Sequence, residues 1–192
     1  MEDTTIDRLN YDVLLDIYDF YRLNDENAWN VRLGWCKLSQ VCRRWRHLVH
    51  SSAFRLGMNI YCTIGTPVVD VLDHFPPWPL LVDYQNTTSS IDKKDEVGIT
   101  HALQMRDRVR SIVLHLSPPI LHESLALMNQ PFVTLEHLSL SSTTEENTTL
   151  VLPKTFLAPN LRHLALRGVR LPKRLRLLTS TSLLVTLSLT HI

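Results

Sequence analysis

Two histidines occupy equivalent positions in two similar stretches, which makes them the first candidates for chemistry. His137 is the third residue of "LEHLSLSS" and His163 is the third residue of "LRHLALRG". If the two stretches form neighbouring strands, the imidazoles lie about 5 Å apart, the spacing of paired strands. Two imidazoles could begin a metal site, but no third ligand is evident. The pattern therefore favours two exposed repeat residues over a metal site.

The other reactive residue types give little support to catalysis. Cys36, Cys42 and Cys62 are too few and too scattered for a zinc site and are interpreted as small buried side chains. The chain has five glycines among 192 residues, without a glycine-rich phosphate loop. No nucleophile motif is present either. We therefore expect a protein that is not an enzyme and uses neither a metal nor a cofactor.

Composition and charge are those of an ordinary globular protein. Hydrophobic residues make up 44% of the sequence and charged residues 20%. A net charge of +1 argues against nucleic acid or a membrane surface as the main partner. The chain has no apolar run long enough for a membrane span, and its acidic start, "MEDTTIDR", lacks the pattern of a signal peptide. The predicted location is the cytoplasm or the nucleus.

Residues 1–55 predict a small helical module. Residues 6–21 place apolar side chains at steps of three and four, with Asn10 as the N-cap of the helix proper. A second helix is predicted over about residues 33–50, with Trp45 in its apolar stripe. Because so small a unit has a thin core, the rest of the chain or a partner must cover its apolar surface.

The arginines of the second helix admit two interpretations. Residues 1–30 carry eight acids and two bases, whereas residues 31–55 carry six bases and no acid. Arg43, Arg44 and Arg46 are therefore interpreted as solvated helix surface that nearby acids partly neutralise. The alternative, a basic helix that binds nucleic acid, is disfavoured by the near-neutral net charge.

The segments "IDRLNYDVLLDIYDFY" and "LSQVCRRWRHLV" resemble an F-box, over residues 6–55. That family's pattern opens with Leu-Pro and an acid, followed by an aliphatic helix, and continues with a leucine shortly before Val-Cys-Arg-Arg-Trp. This chain has Asn10 where proline is usual and a longer loop over about residues 23–34. The stretch "GTPVVDVLDHFPPWPLLVDY" is similar to the segment located after the F-box-like region in many fungal proteins.

The resemblance implies docking to a Skp-type adaptor, which links F-box proteins to a cullin-RING ubiquitin ligase. The residues that match the pattern are expected to bind the adaptor or to support the surface that does. They are Leu9, Leu14, Ile17, Leu38, Val41, Cys42, Trp45 and Leu48.

Residues 56–108 are predicted to connect this module to a repeat region and to begin the same stack in degenerate form. Strands are predicted at 57–63 and 79–85, and helices at 67–75 and 95–108.

Residues 109–192 contain an internal repeat. Segments that fit the pattern L-x-x-L-x-L begin at Val109, Leu135, Leu161 and Leu184. In a strand the alternate leucines point to one face, so stacked copies predict a parallel ladder over a continuous leucine core. A helix is predicted at 117–131 and an irregular segment at 151–160, where two prolines limit helix formation. The spacing resembles leucine-rich repeats of the longer, helix-containing kind.

The outward positions of these strands form the surface on which stacked repeats usually bind partners. The residues expected to contact a target protein are His137, Ser139, His163, Ala165 and Arg167. Residues 159–192 carry six bases and no acid, which favours an acidic target or forms a solvated rim.

The predicted fold is α/β, with an F-box-like helical module followed by a short leucine-rich-repeat solenoid. The last repeat ends at "LSLTHI" without a polar capping repeat, so we expect the repeat region to be truncated. The leading hypothesis is a substrate-recognition subunit that binds a Skp-type adaptor and an unidentified target. The alternative is a leucine-rich-repeat scaffold for protein interaction, without a role in ubiquitin ligation.

Overall fold

In the computed structural model, residues 9–23, 40–52, 57–85, 91–144, 150–172 and 182–191 are described. The chain divides into two units, Met1–Ile60 and Tyr61–Ile192. The described part of the first unit is mainly helical, and the second is built on a parallel β-sheet.

The first helix of the N-terminal unit is α1, Tyr11–Leu23. It begins where the sequence predicts, because the Asn10 side-chain oxygen accepts a hydrogen bond from the Val13 backbone N–H at 2.8 Å. Asp12 lies in the first turn, where a negative charge stabilises the helix dipole. Asn10 is thus the N-cap of α1, as the sequence predicts.

The second helix, α2, spans only Arg43–Ser51. The prediction of a helix over 33–50 is wrong at residues 40–42, because Cys42 is extended, with φ −157° and ψ 173°. A β-branched Val41 followed by a cysteine gives this stretch low helix propensity. The part of the prediction on residues 33–39, which includes Leu38, lies outside the described residues, as does the longer loop beyond residue 23.

Six strands form one sheet, in the order β1-β2-β3-β4-β6-β8. Their bounds are β1 Ile60–Thr63, β2 Leu80–Tyr84, β3 Val109–Leu116, β4 His137–Ser142, β6 His163–Arg167 and β8 Thr186–Thr190. The strands β5, Leu150–Val151, and β7, Val169–Arg170, form a separate two-stranded parallel pair that the sequence does not predict. The predicted parallel ladder is confirmed, and β1 is shorter than the predicted strand at 57–63.

Three helices accompany the sheet: α3 Val68–His74, α4 Lys93–Gln104 and α5 Pro118–Leu127. Helix α4 packs against α3, α5 and β2, and α5 packs against β3. Each overlaps its predicted position, but the predictions of helix over 105–108 and 128–131 are wrong, because α4 ends at Gln104 and α5 ends at Leu127. Helix α4 begins two residues early because Asp92 and Asp95 form a reciprocal capping box, with Asp95 N–H donating to Asp92 Oδ1 at 2.8 Å.

The register of the ladder places equivalent repeat residues side by side. Leu138 pairs with Ile112 on one neighbouring strand and with Leu164 on the other. All three side chains are buried, as are the leucines two residues further along β3, β4 and β6. The alternation of the L-x-x-L-x-L pattern therefore gives the continuous apolar core that the sequence predicts.

A second periodic feature is not evident from the sequence pattern. Arg108, Thr134 and Asn160 stand 26 residues apart, and each side chain donates to backbone carbonyls of the chain segment before it. Arg108 donates to Pro76 O and Trp78 O, both at 3.2 Å. Thr134 Oγ1 donates to Val109 O at 2.9 Å, and Asn160 Nδ2 to Val133 O at 2.7 Å. These bonds tie successive segments together beside the strands.

Strand β8 lies at the edge of the sheet and is the most exposed of its strands. It pairs with β6, and within the described residues no further strand pairs with its other side. Leu187 continues the buried leucine row yet is exposed, and Val185 just before the strand is 74% exposed. The apolar row is therefore open to solvent at this edge.

We predict that the backbone amides of Thr186–Thr190 exchange with solvent at least about tenfold faster than those of β4, because an edge strand opens more readily than a central one. Hydrogen exchange of the purified chain, followed residue by residue, measures this difference. Equal protection of both strands in a dilute monomeric sample would contradict the prediction and show that the edge is covered.

Candidate functional sites

The outward side chains of β3, β4, β6 and β8 are ordered in three rows by the strand register. The first row is Ser111, His137, His163 and Thr186. The middle row is Val113, Ser139, Ala165 and Ser188. The third row is His115, Ser141, Arg167 and Thr190. The five residues expected to contact a target all lie in these rows.

The two histidines of the first row lie together, as their equivalent positions predict. Their ring centroids are 5.7 Å apart and the planes are tilted by 40°. His163 Nδ1 lies 3.2 Å from Thr186 Oγ1. Burial, and to a smaller extent His163, lowers the pKa of His137, so this ring is neutral at neutral pH.

The two histidines therefore contact each other as a pair of packed rings. In the described part of the chain, no group of three or more His, Cys, Asp or Glu residues is placed to hold a metal ion. The buried Cys62 lies on β1, where burial raises the pKa of its thiol to about 12. Such a thiol is an inert core side chain rather than a nucleophile or a metal ligand.

Beside the histidine pair, the small side chains of the middle row leave a shallow cavity of about 200 Å³. Ser139, Ala165 and Ser188 lie along its floor, and the entire third row also lines it. His115 Nδ1 lies 2.8 Å from Ser141 Oγ, and Thr190 Oγ1 donates to Leu166 O at 3.4 Å. The cavity thus has a polar lining above a leucine core.

The cavity divides the residues predicted to contact a target into two groups. Ser139, Ala165 and Arg167 line it, whereas His137 and His163 lie in the adjacent row and do not. The polar lining residues outside the predicted set are His115, Ser141, Ser188 and Thr190. The same alternation of strand residues identifies them once all four repeats are aligned.

In the N-terminal unit, two aromatic side chains join α1 to α2. The ring centroids of Tyr18 and Trp45 are 5.5 Å apart, with planes at 46°. The Tyr18 hydroxyl donates to the Trp45 backbone carbonyl at 3.4 Å. Burial, and secondarily the nearby Cys42, raises the pKa of Tyr18, which stays protonated and serves as a donor. The described core of this unit is built on that pair.

Arg44 has a structural role that the sequence does not indicate. Its guanidinium donates to the Leu9 carbonyl and lies 5.0 Å from the centroid of the Tyr11 ring. It therefore fixes the start of α1 against α2 through a hydrogen bond and a cation–π contact. Arg43 and Arg46 are exposed, as predicted, whereas Arg44 is half-buried.

The residues predicted to bind an adaptor differ in accessibility. Leu14, Trp45 and Leu48 are buried. Leu9, Ile17 and Cys42 are half-buried, and Val41 is 49% exposed. Only the second group offers surface to a partner, so the buried residues can affect binding through the stability of the unit.

Helix α1 also exposes apolar residues outside the predicted set. Val13 is 40% exposed and Phe20 is 71% exposed. Together with Ile17 they follow the spacing i, i+4, i+7 and lie on one face of the helix, which we call the α1 stripe. The buried residues Leu14 and Tyr18 lie on a different face, so α1 has two apolar faces rather than one.

The described elements define a mixed α/β protein with five helices and a parallel six-stranded sheet. No helix in the described segments is both long and apolar enough to cross a membrane. No family model, curated protein or solved structure matches the chain.

Proposed function

We propose that this protein is an F-box-type substrate-recognition subunit of a cullin-RING ubiquitin ligase. Its helical unit docks to a Skp-type adaptor, and the outward face of its sheet binds a target protein. The protein performs no chemistry itself, because other subunits supply the catalytic groups and this chain supplies proximity. The proposed location is the cytoplasm or the nucleus.

The observation that supports adaptor docking is the α1 stripe, in the segment whose sequence resembles an F-box. Exposed apolar surface on a small helical unit costs free energy in water unless a partner covers it. Val13, Ile17 and Phe20 form a contiguous strip along a helix, the arrangement that fits a groove of another helical protein. Val41 provides a further exposed apolar side chain in the same unit.

We expect Val13→Glu and Phe20→Glu each to lower affinity for a Skp-type adaptor at least about tenfold, since each places a charge in an apolar interface. Val13 is the third helical residue after the Asn10 N-cap, so glutamate there suits the helix start and preserves folding. The affinities are measured by calorimetry with purified adaptor, and circular dichroism verifies the fold.

The matched control is Val133→Glu, which charges a similarly exposed valine in the sheet unit. It is expected to leave adaptor binding unchanged. If the unmodified chain does not bind the adaptor, or if all three variants bind equally, docking through α1 is wrong. If the chain binds a target protein but not the adaptor, the alternative is favoured, namely a protein-interaction scaffold without a role in ubiquitin ligation.

A further inference from the structure

Strand β8 directs backbone hydrogen-bonding groups to the open edge of the sheet. Just after β6, the Gly168 N–H donates to Thr190 O at 3.1 Å, so the Thr190 carbonyl points towards β6. Because the backbone groups of successive residues in a strand point to opposite sides, Leu187 and Leu189 direct theirs away from β6. Among the described residues no strand pairs with that side. Such an edge is a template for pairing with another chain.

The β8 edge lacks the features that usually prevent strands from pairing between molecules. Those features are charged side chains, prolines and bulges along the edge. Residues 182–190, "SLLVTLSLT", contain no charged residue and no proline. The strand pairs with β6 residue for residue, without a bulge. Leu183, Val185 and Leu187 are all exposed, so pairing with a further strand would also cover apolar surface.

The sequence of β8 is complementary to itself. "TLSLT", Thr186–Thr190, reads the same in both directions. In an antiparallel pair of two copies centred on Ser188, this serine therefore faces its own counterpart. Leu187 then faces Leu189 of the second copy, and Thr186 faces Thr190. The backbone agrees with this register, because Leu187 and Leu189 are the residues that direct their N–H and C=O groups outward and can exchange both hydrogen bonds.

Side-chain chemistry and charge are compatible with the same pairing. Residues that face each other lie on one side of the sheet, so the exposed Leu187 of each copy is covered by Leu189 of the other. Opposed threonines are a favourable cross-strand pair. Arg167 on β6 and Arg162 just before it are separated from their counterparts by at least three strand spacings, about 14 Å. This exceeds the distance of about 8 Å over which surface charges interact at physiological salt.

We propose that two copies of this protein associate through β8, paired antiparallel about a twofold axis that passes beside Ser188. The two six-stranded sheets then form one continuous sheet with an uninterrupted leucine face. A pair of short strands covers less than the roughly 1,200 Å² of a stable interface, so the dimer is weak, with a dissociation constant of about 10–100 µM. The inference does not depend on the proposed function, whose adaptor contact lies on α1.

Sedimentation equilibrium of the full chain, at concentrations on both sides of this dissociation constant, tests the association. The average mass should rise from that of one chain to that of two. Ser188→Lys should weaken the dimer at least about tenfold, because two lysines then face each other across the axis. Ser139→Lys adds the same charge in the same row on the central strand β4 and should leave the dimer unchanged. Circular dichroism verifies that both variants fold.

A charge exchange at the same position tests the register. Ser188→Glu alone should weaken the dimer as Ser188→Lys does, and an equimolar mixture of the two variants should associate at least as tightly as the unmodified chain. Association through any other surface would not recover in the mixture. A single-chain mass at every concentration, assembly beyond two copies, equal weakening by Ser139→Lys or no recovery in the mixture would each overturn the inference.

Discussion

Replacing Phe132 with alanine is expected to lower the free energy of unfolding of the sheet unit by about 3–5 kcal/mol, the usual cost of deleting a buried aromatic ring. The Phe132 side chain is fully buried, and its ring centroid lies 5.9 Å from that of Phe156. Its backbone N–H donates to Leu157 O at 2.8 Å, so the residue also anchors the irregular segment after β5. The truncated side chain leaves a cavity that this fixed backbone cannot readily close.

Chemical denaturation monitored by far-ultraviolet circular dichroism measures this loss. Val133→Ala is the matched control, because the neighbouring valine is half exposed and its truncation should cost less than about 1 kcal/mol. Similar midpoints for both variants would mean that Phe132 is not part of the core.

The parallel ladder can be predicted because the sequence pattern that determines it is local and recurs in each repeat. Alternation of leucine with polar residues fixes which face of a strand is buried. The offset between segments, 26 residues at the first two steps and 23 at the last, fixes which residues pair. The proximity of His137 and His163 results from the same offset. Arg108, Thr134 and Asn160 also stand 26 residues apart, but they are of three different types, and their common role depends on carbonyl positions that the sequence does not reveal.

Predicting the cavity on the outward face of the sheet requires the strand register as well as the sequence repeat. It exists because three residues from separate repeats are small and adjacent in one row, and each is unremarkable in its own segment. The predicted set contains Ser139 and Ala165 but not Ser188, which completes the row. Thus a hollow in a repeat structure depends on comparison across strands rather than on any single motif.

For α1, the sequence pattern does not distinguish the two apolar faces of the helix. Steps of three and four connect Val13 and Ile17 to Leu14 and Tyr18, so the pattern predicts a single stripe. The structure separates a buried face from the exposed α1 stripe. The sequence alone cannot make this division, since it depends on which face α2 covers through Trp45.

Replacing Trp45 with alanine is expected to destabilise the helical unit by about 3–5 kcal/mol, because a buried indole is lost. That is comparable to the whole stability expected of a core this small. Trp45 is 7% exposed, contacts the Tyr18 ring and accepts the Tyr18 hydroxyl hydrogen bond through its backbone. We therefore expect α1 to unfold at room temperature and adaptor binding to disappear with it.

The measurement is hydrogen exchange of the α1 amides, combined with adaptor affinity. Trp45→Ala should lose amide protection and binding together, whereas Val13→Glu should lose binding and keep protection. Trp45→Phe, which retains an aromatic ring beside Tyr18, should preserve most of both. If Trp45→Ala keeps the protection and affinity of the unmodified chain, neither the core nor the docking surface is organised around this residue.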